Sequence, residues 1–220
     1  DTAAYTLSTT TASVTEAGST ATFTVVLGSQ PTSNVEFTVA SADTGEATVL
    51  PTPLTFTTGN WNSTQTVTVT GVDDTIDDGN QDTTITIAVD ADNSDNAFDG
   101  LADQTVTATT TDDDTAAYTL STTTASVTEA GGTATFTVVL DTQPLSDVVF
   151  TVVSADTTEA TVSAPTLTFT SGNWNIPQSV TVTGVDDTID DGDQDTTVTI
   201  AVDDDNSDNA FDGLADQTVT

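Results

Sequence analysis

The chain has 220 residues, 35 of them Asp or Glu, with no Lys, Arg or His, and a formal charge of −35 at pH 7. Without cationic side chains it cannot grip phosphate, which excludes nucleic acid and anionic membrane surfaces as partners. Its carboxylates must instead be balanced by cations from solution.

The absence of Cys removes disulfides and thiolate metal sites. No apolar run approaches the roughly 20 residues that span a membrane, and export or anchoring signals are expected outside this segment. High charge with low hydrophobicity usually reads as disorder. Here the apolar residues are spaced too regularly for that.

The first element of organisation is a long repeat. Gly59-Asn60-Trp61-Asn62 returns as Gly172-Asn173-Trp174-Asn175, Gly71–Gly79 as Gly184–Gly192, and Asp1–Tyr5 as Asp114–Tyr118, each with a period of 113 residues. That period is domain-sized, so the sequence predicts whole domains in tandem, 1–113 and 114–220, rather than a solenoid. The second copy is shorter, and the sequence reads as a window on a longer array.

Within a repeat the apolar residues alternate. Phe23, Val25 and Leu27 alternate with Thr22, Thr24 and Val26; Val35, Phe37 and Val39 with Glu36 and Thr38; Ile85, Ile87 and Val89 with Thr84, Thr86 and Ala88. Period-two alternation rich in β-branched residues means strands with one face buried.

In chain order the predicted strands are Ala4–Thr15 with a break, Thr20–Leu27, Val35–Ser41, Ala47–Phe56 with a proline kink, Gln65–Val72, Thr83–Val89 and Gln104–Thr111. Turn residues such as Ala17-Gly18, Gly28-Ser29-Gln30-Pro31 and Asp43-Thr44-Gly45 fall between them. Seven such strands in about 110 residues predict an all-β fold of two tandem immunoglobulin-like β-sandwiches.

Alternating strand direction gathers the acids at the ends of each sandwich. One pole receives Glu16, Asp43 and Glu46, then Asp73, Asp74, Asp77 and Asp78, and finally Asp112, Asp113 and Asp114. The matching acids of the second repeat are Glu129, Asp156, Asp186, Asp187, Asp190 and Asp191. Three consecutive carboxylates repel strongly, a like-charge pair costing about 4 kcal/mol at about 4 Å and an effective dielectric near 20. Oxygen donors converging from several loops suit a hard ion, Ca²⁺. The bland alternative is that Asp is simply a good turn residue on an acidic surface. The opposite pole carries a second acidic loop, Asp90–Gly100, copied as Asp203–Gly213. It lacks the sixth-position glycine and closing Glu of an EF-hand, and Ca²⁺ binding there stays open against an Asx-rich turn.

These residues resemble a known family. Val14-Thr15-Glu16-Ala17-Gly18, Leu54-Thr55-Phe56 ahead of the Gln65–Val69 strand, Val72-Asp73-Asp74 with Asp77-Asp78-Gly79, and Asp112-Asp113-Asp114 are similar to Calx-beta domains. Such domains occur in sodium–calcium exchangers and, in tandem, in large bacterial adhesins. The resemblance implies calcium ligands at Glu16, at Asp43, at Asp73 or Asp74, at Asp77 or Asp78, and at Asp112 to Asp114. This chain has Asp78 and Gln81 where many members carry Glu. It also resembles the calcium-stiffened extender repeats of long adhesins.

The expected function is therefore structural: an extracellular, cell-surface repeat of an adhesin stalk or fibre, rigidified by Ca²⁺ at its acidic loops and junctions. Its partners would be neighbouring copies of the same repeat. Lack of Lys and Arg removes trypsin sites, and lack of Cys and Met removes the main oxidation sites, which suits long exposure outside a cell. An enzyme is not expected, because only paired carboxylates are available, and glycosidase chemistry needs a sugar cleft in a chain only 5% aromatic. Two other readings are a carbohydrate- or ice-binding module, through Trp61 and Trp174 or the Thr-x-Thr runs, and a subunit of a laterally assembled filament or surface layer. Trp61 and Trp174 can equally plug the end of the core.

Overall fold

The computed structural model describes residues 1–189 and 192–220. The chain divides into two compact units, Asp1–Asp74 with Asp78–Asp113, and Thr75–Asp77 with Asp114–Thr220. Among the described residues no helix is long and apolar enough to cross a membrane.

In the first unit the strands are β1 (Tyr5–Leu7), β2 (Thr11–Thr15), β3 (Thr20–Leu27), β4 (Val35–Ser41), β5 (Ala47–Leu50), β6 (Leu54–Phe56), β7 (Gln65–Gly71), β8 (Gln81–Val89) and β9 (Gln104–Thr111). They form two sheets, ordered β1-β3-β7-β5 and β2-β9-β8-β4-β6. Neighbours pair antiparallel except β2, which runs parallel to β9 from Thr11↔Thr107 to Thr15↔Thr111. The inward residues of both sheets, among them Phe23, Val25 and Val67 from one and Phe37, Ile85 and Val106 from the other, form one buried cluster. This is an immunoglobulin-like sandwich. Each fully buried large apolar side chain contributes roughly 1.5–3 kcal/mol.

Two expected elements divide, and Ala4–Thr15 becomes β1 and β2 in different sheets. The run Ala47–Phe56 becomes β5 and β6, which sit in different sheets. Proline has no N–H to give a ladder, so Pro51-Thr52-Pro53 interrupts pairing and hands the chain across the sandwich.

The second unit repeats the plan with β10 (Tyr118–Leu120), β11 (Thr133–Leu140), β12 (Val148–Ser154), β13 (Ala160–Val162), β14 (Thr166–Phe169), β15 (Gln178–Gly184), β16 (Val198–Val202) and β17 (Gln217–Val219). Its sheets are β10-β11-β15-β13 and β14-β12-β16-β17. The counterpart of β2 is not a strand here.

A tyrosine locks each core. The Tyr5 hydroxyl donates to the Ile87 carbonyl at 2.8 Å and accepts the Gln104 N–H at 2.8 Å, and its ring packs on Phe37 with centroids 4.7 Å apart. Tyr118 does the same with Ile200, Gln217 and Phe150. Trp61 and Trp174 are partly buried against their cores, and their carbonyls accept the N–H of Leu27 and Leu140.

Candidate metal centre

The acidic pole of the first unit forms where the ends of β2 and β9 meet the loops after β4 and β7. A glycine makes this meeting possible. A Cβ on Gly71 would collide with the Thr15 carbonyl, so only glycine lets β7 pass the end of β2 this closely. Gly71 N–H donates to the Ser19 carbonyl at 3.1 Å, and Glu16 N–H donates to the Thr111 carbonyl at 3.1 Å. Glu16 is thereby held inward, only 1% exposed.

Other segments bring acids to the same place. Glu46 is fixed by its backbone, whose carbonyl accepts Val72 N–H at 2.9 Å and the Thr110 hydroxyl at 3.1 Å. Asp112 Oδ2 accepts the N–H of Gly79 at 2.7 Å, and Asp112 N–H donates to Asn80 Oδ1 at 3.2 Å. Gly79 turns there with a φ of +73°, a region open to glycine. Asp113 N–H donates to Glu16 Oε2 at 3.4 Å.

The electrostatics follow from the placement. Burial pushes the Glu16 carboxyl up from 4.5 to about 7; the Asp113 N–H opposes this, and the charges of Asp112, Asp74 and Glu46 add to it. Glu46 is raised by burial first, then by Asp78, Asp74, Asp43 and Asp112. Glu46 Oε2 and Asp78 Oδ1 are buried with no hydrogen-bond partner among the described residues. A buried carboxylate oxygen without a donor is expensive, and the protein has no cationic side chain to supply one.

A divalent, oxygen-seeking cation fits this donor set. Carboxylate oxygens of Glu16 and Asp74 lie within 4.8 Å of each other. Two oxygens each about 2.4 Å from one Ca²⁺ are at most about 5 Å apart.

The first unit thus brings together Glu16, Asp43, Asp74, Asp78 and Asp112 around Glu46, while Asp113 is exposed and meets Glu16 through its backbone N–H. Glu46 lies outside the ligand set that the Calx-beta resemblance implies, although the strand order places it at this pole. Asp73 is exposed. Asp77 groups with the second unit, where its Oδ2 accepts the Ala116 N–H at 2.7 Å. Asp114 opens the second unit.

Among the described residues, the matching acids of the second unit form no such group. Glu129 and Asp186 are exposed and Asp187 is half-buried. Asp187 Oδ1 accepts the Ile189 N–H at 2.7 Å. Asp156 accepts both the N–H and the hydroxyl of Thr158, and the hydroxyl bond is the chief cause of its lowered pKa. Asp190 and Asp191 lie outside the described residues.

The loop at the other pole works differently. Asp95 is buried, and its oxygens accept the N–H of Thr32, Ser33 and Ala97 and the Thr32 hydroxyl. These donors, Ala97 first, hold its carboxyl well below the usual range. Asp208 repeats the motif through Ser146 and Ala210. In this loop the central acid is satisfied by protein donors alone.

No family model matches the chain, and no curated protein matches it. Among solved structures it is similar to the calcium binding domain CBD12 of CALX1.1, at 12% identity and a TM-score of 0.38, over 90% of this chain and 79% of that one. Domains 5-6 of the S-layer protein SbsC give 22% identity and a TM-score of 0.34, over 98% of this chain and 96% of that one. SSP-19, an MSP-domain protein like family member in Caenorhabditis elegans, gives 16% identity and a TM-score of 0.36, over 49% of this chain and 99% of that one.

Proposed function

We propose that the chain is a structural repeat module of an extracellular surface stalk or fibre, and that Ca²⁺ bound in the acidic pole stiffens it. One observation carries the reading. Glu16 is buried among Asp74, Glu46 and Asp112, beside carboxylate oxygens that lack donors, in a chain with no cationic side chain. Such a pole is self-repelling until a cation enters. Binding to the folded state alone then stabilises it by mass action and fixes the loops that carry the ligands.

The role assigned to the protein is to bind the ion, orient the loops and hold the Asp112-Asp113 segment against Glu16. Its partners would be further copies of the same repeat, and its place the outside of a cell, where calcium is plentiful and trypsin-resistant, thiol-free chains persist. Calorimetric titration of chelator-treated protein with CaCl₂ tests the reading. Saturable binding is expected, weaker with Mg²⁺, which demands a stricter octahedron. Heat that merely tracks ionic strength, and that NaCl reproduces, would refute a specific site.

A further inference from the structure

The acids of this chain are unevenly placed. In the first unit β1, β3, β5 and β7 hold no Asp or Glu, and in the second neither do β10, β11, β13 and β15. Each set forms one complete sheet. Its outer face is threonine in register. Thr20 stands opposite Thr70, Thr22 opposite Thr68 and Thr24 opposite Thr66, while Phe23, Val25, Val67 and Val69 alternate with them into the core. β5 extends the rows, with Thr48 beside Thr70 and Leu50 beside Thr68, and Leu50 is 68% exposed. The second unit repeats the array, pairing Thr133 with Thr183, Thr135 with Thr181 and Thr137 with Ser179. The other sheet of the first unit differs, because Glu36 on β4 and Asp82 on β8 stand out of its core.

Threonine by itself needs no explanation there, since strands favour β-branched residues. The missing charge does, in a chain with 35 acids and no cationic side chain.

We infer that this charge-free face is a lateral self-association surface, and that its occupant is the same face of a second copy. Charge selects the face. Like charges brought together oppose contact through the acidic poles, or through Glu36 and Asp82, so copies meet where neither presents a carboxylate. Shape selects the partner. Strands twist with a fixed hand, and two sheets of equal twist pack face to face with their strands within about 30°. A flat crystalline lattice would touch only a strip of such a sheet. Area sets the strength. Four strands about 4.8 Å apart and about six residues long, at about 3.4 Å per residue, present about 400 Å² on each copy. A contact of about 800 Å² in all is weak, and two such faces per chain let weak contacts add. Repulsion between two anionic chains remains at longer range, and salt screens it. The contact therefore strengthens as ionic strength rises, opposite to an interface built on salt bridges. It joins chains side by side and does not depend on calcium or on the reading of the acidic pole.

The test is sedimentation equilibrium of the full 220-residue chain in chelator, from low salt to molar NaCl and up to millimolar protein. The average mass is expected to rise above that of one chain with both protein and salt. Thr22→Asp with Thr135→Asp places a carboxylate at the centre of each face and should weaken association by about tenfold or more. Thr22→Val with Thr135→Val keeps the shape without charge and should associate at least as strongly as the parent. Thr105→Asp with Val153→Asp adds the same charge to the outer faces of the other sheets and should leave association unchanged. A single-chain mass under every condition, association that falls as salt rises, an Asp pair on this face that changes nothing, or loss in the Val pair or the control would each overturn the surface. So would a chain that stays monomeric yet slows ice growth or sediments with a crystalline polysaccharide, which would assign the face to that lattice instead.

Discussion

The two units share a sequence plan, yet their acidic poles differ. In the first, Val14 and Glu16 are 2% and 1% exposed. In the second, Val127 is half-exposed and Glu129 fully so. The cores themselves match, with Phe23, Phe37 and Phe56 repeated as Phe136, Phe150 and Phe169, all buried. What differs is the far half of the last strand, because the 220 residues end at Thr220, the counterpart of Thr107, and hold no counterpart of Ala108–Thr111. Where β9 continues through Ala108 to Thr111, it covers Val14, turns Glu16 inward and delivers Asp112 and Asp113 to the pole. One strand thus both completes the sheet and assembles the acidic pole proposed to hold a cation.

If that is right, calcium should separate the units in a melting experiment, and this is the largest effect expected. At about 100 times the dissociation constant, binding adds about 2.7 kcal/mol, or roughly 10–20 °C for a domain of this size. The first unit's transition should rise by that order on going from chelator to calcium at fixed ionic strength, and the second unit's much less. Two transitions that move together would erase the distinction.

Next comes Glu16→Gln, which should change sign with conditions. In chelator at pH 8 it removes a buried charge and should raise the first unit's melting temperature. In calcium it removes a ligand and should weaken binding tenfold or more by calorimetry. Glu129→Gln should do neither. A loss of stability in both conditions would make Glu16 a packing residue only.

The tyrosines sharpen the comparison from the side where the units agree. Tyr5→Phe and Tyr118→Phe each leave an Ile87 or Ile200 carbonyl and a backbone N–H without the hydroxyl. Each should cost about 1–3 kcal/mol by denaturant unfolding, with or without calcium. Unequal costs would mean that the cores, and not only the poles, differ.

The smallest expected effect is that of pH. Glu16 has a folded-state pKa raised from 4.5 to about 7, and Glu46 is raised too. The folded protein then holds more protons than the unfolded one across that window, so its ion-free stability falls as pH rises through it. Calcium needs the ionised forms, and its benefit should grow over the same range. Asp95, lowered, acts oppositely and adds stability that is lost only in strong acid. Ion-free unfolding curves at pH 5 and pH 8 read the slope, and a rise in the first unit's stability toward pH 8 would contradict it.

Much of this was legible in the sequence. The alternation of Phe23, Val25 and Leu27, or of Ile85, Ile87 and Val89, fixes strand and inward face together, because the side-chain period is two. The exchange of sheets between β5 and β6 was not. Ala47, Leu54 and Phe56 are buried whether the run stays in one sheet or crosses, and Pro51 and Pro53 signal only a break. In the acidic loops, alternation gives out after Val72. Whether Asp73 or Asp74 turns inward then depends on the path of a turn that hydrophobicity does not encode. Glu46 turns inward because Val72 and Thr110 hold its backbone, contacts from strands far away in the chain.

The parallel pairing of β2 with β9 has a mechanical meaning. These strands lie near the two ends of the first unit and run side by side in the same direction over Thr11–Thr15 and Thr107–Thr111. Tension applied at the two ends pulls them in opposite senses along their own length. All the bonds between them are then loaded at once, in shear, and none can be opened singly like the teeth of a zip. A single-molecule pulling experiment should therefore find a lower unfolding force for the first unit once a proline placed within Thr11–Thr15 interrupts this ladder. Equal forces would mean that the clamp lies elsewhere.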